Sequence, residues 1–208
     1  GTGYFRNVGN TQRMGTELGF IGKLGNKLSW YGNYSYVRAT FETNQNISSA
    51  GHSSNPFECD GAIAGATAND QDACESSEGY QIGVGPGDAI PGISPHVTRI
   101  GIGYAPTESF SMALDTEYNS NQFYRGDENN HHGQKVPGYF LLNASAEFKF
   151  PLKSNSPFST VFFLDGRNLL DTNFETGGIV AENEVDGTGG SGTFVTPGQP
   201  LSIMGGMH

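Results

Sequence analysis

The chain has 208 residues and a formal net charge of −10, enough length for one domain with a sizeable core. Charged residues make up 15%, aromatic residues 12%, and 31 residues are glycine. With Ser, Thr, Asn, Phe and Tyr abundant, that composition suits strands and turns, and the expected class is all-β. No basic stripe exists for nucleic acid. No apolar run approaches the roughly 20 residues of a membrane helix, and mean hydropathy is −0.41. A β-barrel stays open, because its strands are apolar only at alternate positions.

Taken in chain order, seven segments alternate with period 2. From Arg13 to Leu24, Met14, Leu18, Phe20 and Leu24 share one face, and Arg13, Glu17, Ile21 and Lys23 the other. From Leu28 to Phe41, Leu28, Trp30, Tyr34 and Tyr36 oppose Ser29, Asn33 and Ser35. Between Val97 and Ala105, Ile100, Ile102 and Tyr104 alternate with Arg99, Gly101 and Gly103. Phe110, Met112, Leu114 and Tyr118 follow, against Ser111, Asp115, Glu117 and Asn119. Next come Phe140, Leu142, Ala144, Ala146, Phe148 and Phe150, against Asn143, Ser145, Glu147 and Lys149. Phe162 and Leu164 then oppose Phe163, Asp165 and Arg167, and Leu201, Ile203 and Met207 oppose Ser202, Met204 and Gly206.

A soluble sandwich with one wet face would also alternate. Several segments, however, run ten residues or more, the length of a tilted membrane strand, and their aromatics fall toward strand ends, as interfacial girdles require. Connections alternate in length. Tight turns are expected at 23–26, 105–109 and 151–157, and long loops at 43–93, 126–136 and 171–197. Short turns on one side and long loops on the other fit an outer-membrane barrel with its long loops outside the cell. Seven strands cannot close such a barrel, and open edges in lipid are costly. The chain, which opens on Gly1-Thr2-Gly3-Tyr4 and ends at His208 without the usual terminal aromatic, is therefore expected to be a fragment.

The stretches 42–91 and 171–197 carry thirteen of the 21 acidic residues and no Lys or Arg. Solvated loops, with Ca²⁺ as a conceivable bridge, are one reading, and a mouth favouring cationic ligands is another. Cys59 and Cys74 lie in the first stretch. Its polar composition cannot bury two thiols, so a disulfide is expected, worth about 3 kcal/mol by chain entropy; two free thiols are the alternative. One cluster, Arg125, Asp127, Glu128, His131 and His132, mixes oxygen and imidazole groups where a chelate or metal could be met. Adjacent histidines are not a preferred ligand pair and histidines in loops are usually just solvated, so no resident metal or cofactor is expected, and contact with a chelated ligand ranks ahead of direct metal binding as the functional alternative.

The blocks in order resemble a known family. Tyr4-Phe5-Arg6-Asn7-Val8-Gly9-Asn10, with Arg13-Met14-Gly15-Thr16-Glu17-Leu18, resembles a descending strand of TonB-dependent receptors, and Ser29-Trp30-Tyr31-Gly32-Asn33-Tyr34-Ser35-Tyr36 the ascending strand after it. Gly87-Asp88-Ala89-Ile90-Pro91-Gly92 resembles the return from the next outer loop, and Tyr124-Arg125-Gly126-Asp127-Glu128-Asn129 and Val136-Pro137-Gly138-Tyr139 match loop and strand-start motifs. Arg167-Asn168-Leu169-Leu170-Asp171 is similar to the family's signature near the C-terminus, with Leu170 where Phe is commoner, and Phe194-Val195-Thr196-Pro197-Gly198 to the approach to its last strand.

The resemblance, nearest to the ferric-citrate-receptor-like branch, implies that residues 1–208 are the C-terminal portion of one antiparallel transmembrane β-barrel, about seven strands of a larger barrel of about 22 strands. It further implies a plug domain absent from this chain, TonB as partner through that plug, and outer-membrane lipid and lipopolysaccharide around the wall. The expected function is import of a ferric siderophore or similar metal chelate across the bacterial outer membrane. A non-transporting adhesion barrel is the alternative, and a barrel enzyme a more distant one, since no catalytic constellation stands out.

Overall fold

A computed structural model describes residues 9–48, 81–151, 159–183 and 190–207. In chain order the strands are β1 (Thr11–Leu24), β2 (Leu28–Phe41), β3 (Gln45–Ser48), β4 (Gln81–Val84), β5 (His96–Thr107), β6 (Phe110–Asn119), β7 (Gln122–Phe123), β8 (Lys135–Val136), β9 (Tyr139–Pro151), β10 (Ser159–Arg167), β11 (Glu175–Asn183), β12 (Gly190–Pro197) and β13 (Ser202–Met207). Among the described residues none is helical.

Seven strands form one antiparallel wall in the order β1-β2-β5-β6-β9-β10-β13. Each long strand pairs with the next long strand along the chain, across a few residues for β1–β2 and β5–β6 and across the long-loop end for β2–β5, β6–β9 and β10–β13. Gly25, at φ +59°, sits in the left-handed region that an L side chain resists and closes the three-residue turn between Leu24 and Leu28. β5 runs two residues further than the sequence suggests. An irregularity between Tyr104 and Thr107 carries it to within two residues of Phe110.

Register keeps the alternation continuous across the wall. Phe20 faces Gly32, Gly32 faces Ile100, Ile102 faces Leu114, Leu114 faces Ala144, Ala146 faces Leu164, and Leu164 faces Gly205. Since side chains switch face at every residue, one face gathers the large apolar groups. Leu114 is 52% exposed and Ile203 67%, against the burial such residues normally reach in a protein core. Aromatic rings cover glycines on this face: Phe20 lies against Gly32 and Trp30 against Gly22. A glycine opposite a ring leaves room for it to lie flat on the backbone.

The opposite face is polar. Tyr31 Oη donates to Asp115 Oδ1, with Gly101 beneath the tyrosine ring. Arg99 pairs with Glu117 at 3.1 Å and Arg167 with Asp165 at 2.9 Å. Apolar exceptions on this polar side include Ile21, 83% exposed, and Met204, 58% exposed opposite Asp165.

The other strands differ from the sequence reading. Short antiparallel pairs stand at the long-loop end of the wall: β3 with β4 and β11 with β12 inside stretches expected as loops, and β7, just before the stretch 126–136, with β8 inside it. The described hydrophobic core is also there. Phe41, Ile82 and Val84 form one buried cluster, and Tyr124, Val136 and Val180 another. Cys59 and Cys74, with the disulfide expected between them, lie outside the described residues, as do most acidic residues of that stretch.

Candidate ligand-binding site

The segment after β7 is built around turns, and its polar residues largely serve them. Asp127 is fully buried; its Oδ1 accepts the His132 amide at 3.0 Å, and its own amide donates to the Tyr124 carbonyl at 3.1 Å. Asn129 Oδ1 accepts the His131 amide at 3.2 Å. Asn130 adopts φ +60° and clips the segment to Ala89, accepting its amide at 2.6 Å and donating to its carbonyl at 3.0 Å. Short Asx side chains commonly organise turns in this way. Glu128 Oε1 turns back to accept the Gly126 amide at 3.0 Å.

The segment docks on β11 through backbone. The Arg125 amide donates to Gly178 at 3.0 Å, and the Val180 amide donates to Arg125 at 2.7 Å. Gly126 makes that approach feasible, since at φ +90° a Cβ there would stand 2.5 Å from the Val180 carbonyl oxygen. Behind the contact the Tyr124 ring covers Gly178, and its hydroxyl donates to Glu175 Oε2 at 3.3 Å. Burial, and secondarily the Glu175 carboxylate, pushes the Tyr124 hydroxyl above its ordinary value of 10.0.

The five residues singled out from sequence thus separate. Asp127, Glu128 and the half-buried His132 lie inside the turn structure, where His132 meets the Tyr124 ring edge-on at 6.2 Å. His131 is exposed. Among the described residues, no group of three or more His, Cys, Asp or Glu is placed to hold a metal ion. Arg125 faces another way, with its guanidinium beside Gly92.

Arg125 lines a hollow of about 380 Å³ whose walls include Gln122, Phe123, Thr176, Phe194 and Thr196. Gln122 Nε2 donates to the Thr176 carbonyl at 3.2 Å, and Thr176 Oγ1 donates to the Thr196 carbonyl at 3.3 Å, fixing the walls. Lys135 sits 4.0 Å over the Phe123 ring, a cation–π contact. The Arg125 guanidinium has no carboxylate partner among the described residues. A fixed fork of N–H donors beside aromatic and hydroxyl-bearing walls suits a planar or carboxylate-bearing anion. Among the described residues, the hollow's lining holds neither His nor carboxylate, the groups that move protons near neutral pH. Sequence reading reached Arg125 but not Thr176 or Phe194, which lie 51 and 69 residues further along the chain, because only the docking of Arg125 on β11 brings them together.

The signature after β10 has a structural role. Asn168, nearly fully buried at φ +50°, donates through Nδ2 to the carbonyls of Thr172 at 2.9 Å and Gln199 at 3.0 Å, and its Oδ1 accepts the Thr172 amide. It ties the exit of β10 to the approach to β13.

Comparisons with known proteins agree with this architecture. The family model for the TonB-dependent receptor-like β-barrel matches residues 1–169. Among solved structures, the siderophore receptor PiuA from Acinetobacter baumannii superposes with a TM-score of 0.59 at 15% identity, covering 97% of this chain and 22% of that one. The ferric citrate transporter FecA gives 0.55 at 17% identity, covering 95% and 24%. The copper transporter OprC gives 0.53 at 14%, covering 95% and 23%. The chain therefore spans under a quarter of the length of these solved proteins, and at such identities the likeness is one of fold. No curated protein matches the sequence.

Proposed function

The chain belongs to the TonB-dependent receptor β-barrel family, and from that premise we propose that it forms part of the wall of a plugged outer-membrane barrel that imports a metal chelate. The apolar face meets lipid, the polar face lines the lumen, and the long-loop end lies outside the cell. Strands on other parts of the barrel pair with the edges of β1 and β13, because open edges in lipid would leave backbone groups unsatisfied. TonB acts through a plug beyond this chain, and the function is transport, not catalysis.

The observation that carries the ligand class is the Arg125 hollow. The acidic long loops would repel an anionic chelate, yet the hollow offers a cation with no acidic partner among the described residues. An anionic ferric chelate, such as a carboxylate- or catecholate-bearing one, fits this chemistry. The names of the solved neighbours, which include a siderophore receptor and a ferric citrate transporter, agree with that class.

The test is uptake of radiolabelled ferric chelates by cells carrying the full-length protein as their sole route. Arg125→Glu is expected to lower uptake at limiting chelate about tenfold, the worth of one charge-assisted contact, with equal receptor in the outer membrane. Removing TonB is expected to abolish uptake. Uptake that survives loss of TonB would contradict the transport reading, and uptake indifferent to Arg125→Glu would contradict the ligand site.

A further inference from the structure

We propose that one exposed face at the Arg125 hollow selects chelates whose anionic groups are borne on aromatic rings, with Phe194 as the residue that separates them from aliphatic carboxylate chelates. The inference rests on the import reading above and narrows its ligand class.

Strand pairing builds the face. Lys135 lies opposite Phe123 in the pair of β7 with β8. Two residues on, Arg125 bridges Ile179 in parallel, and Ile179 pairs with Phe194 across β11 and β12. Directly paired residues point to the same side of a sheet, and so do residues two apart on one strand. Lys135, Phe123, Arg125, Ile179 and Phe194 therefore share one surface about three strand spacings wide, roughly 14 Å. Tyr124, between Phe123 and Arg125, points the other way, into the buried cluster with Val136 and Val180.

The surface is open and carries no acid. Ile179 is 46% exposed and Phe194 43%, and Arg125 and Lys135 are exposed as well. Beside them, among the described residues, nothing stands within 4 Å of where a Cβ on Gly177 would sit. No carboxylate lines the hollow among the described residues. Glu175, at the start of β11, is turned to Tyr124 and accepts its hydroxyl at 3.3 Å.

Cations and rings on one face recognise different parts of a ligand. An aliphatic carboxylate chelate can meet Arg125 by charge, but it sets hydrated oxygens against Phe194 and Ile179 and gains nothing from their apolar area. A ring with ionised oxygens satisfies both demands. Its edge accepts from the Arg125 fork while its flat side lies on Phe194. Lys135, held 4.0 Å over the Phe123 ring, supplies a second cation for the same ligand. The hollow, about 380 Å³, is near the lower end of the roughly 300–1,000 Å³ of small-molecule sites. It takes one ring-bearing arm of a chelate, with the rest of the complex outside.

The experiment measures equilibrium binding of two iron-labelled probes to the full-length receptor in mild detergent: the ferric complex of a tris-catechol ligand, and ferric citrate. The unsubstituted protein is expected to hold the tris-catecholate at least about tenfold tighter. Phe194→Ala is expected to cut that ratio about tenfold, the scale of one lost ring contact. Phe194→Tyr, which keeps the ring, is expected to keep the ratio, and Phe194→Leu to keep part of it. Equal binding of the two probes, or a ratio unchanged in Phe194→Ala, would overturn the selectivity and leave the import reading standing. Binding of neither probe by the unsubstituted protein would overturn the import reading itself.

Discussion

The wall and the hairpins above it solve opposite problems with the same backbone. In the wall the large apolar residues point away from the protein and stay exposed, as Leu18, Leu114 and Ile203 do. In the hairpins they point toward one another, as Ile82 with Val84 and Tyr124 with Val180 do. The wall needs lipid to bury its side chains, each worth roughly 1.5–3 kcal/mol. The hairpins supply their own cover, as expected of elements standing in water. One chain thus carries a membrane protein's surface and a small globular core at its long-loop end.

That contrast can be broken first in the wall. Leu114→Arg is expected to cost about 2–4 kcal/mol, because it places a charge in lipid. Ala113→Arg, one residue away on the polar face, is expected to cost under about 1 kcal/mol. Denaturant unfolding of the full-length protein from lipid vesicles measures both, and equal costs would erase the distinction between the faces.

Asn168→Ala comes next, at about 2–3 kcal/mol in the same assay, since it removes a buried side chain that satisfies the Thr172 amide and the carbonyls of Thr172 and Gln199. Gly126→Ala is expected to cost about 1–2 kcal/mol, felt only among the hairpins, because a Cβ there meets Val180 at positive φ. Hydrogen exchange should quicken at the Arg125 and Val180 amides and stay unchanged in β5 and β6; quickening throughout would show that wall and hairpins form one cooperative unit.

The smallest effect is expected from Tyr124→Phe. The folded hydroxyl holds its proton above the ordinary value of 10.0, so its contribution is complete below that pH. It falls as pH rises from there through the folded value, where the unfolded chain ionises first. Hairpin stability in the phenylalanine variant should lose that alkaline decline, read by exchange at the Val180 amide on either side of pH 10, and an identical decline in both proteins would remove Tyr124 as its source.

The wall was legible because alternation over ten or more residues survives local exceptions. Ile21 on the polar face and Gly32 on the apolar one did not hide the pattern of β1 and β2. The hairpins were not. β7 and β8 have two residues each, too few to show any period, and β11 holds Gly177 and Gly178 where apolar residues would have marked a face. Within the site, Arg125 stood out by its charge. Its companions Phe194 and Thr196 depend on a contact with β11 that no local pattern encodes. Asp127 shows the converse: a carboxylate in a polar loop reads as available, yet the turn from Tyr124 to His132 buries it completely.

The most direct test of the division is a spin-label scan along β6 in the full-length receptor reconstituted in lipid. Nitroxides at positions 111 to 118, on a background cleared of native cysteines, are read for collision with oxygen and with a water-soluble nickel chelate. The account predicts strict alternation, with oxygen favoured at Met112, Leu114, Thr116 and Tyr118 and nickel at Ser111, Ala113, Asp115 and Glu117. Equal nickel access on both faces would contradict it, because the apolar side would then stand in water and the wall would not be a membrane wall.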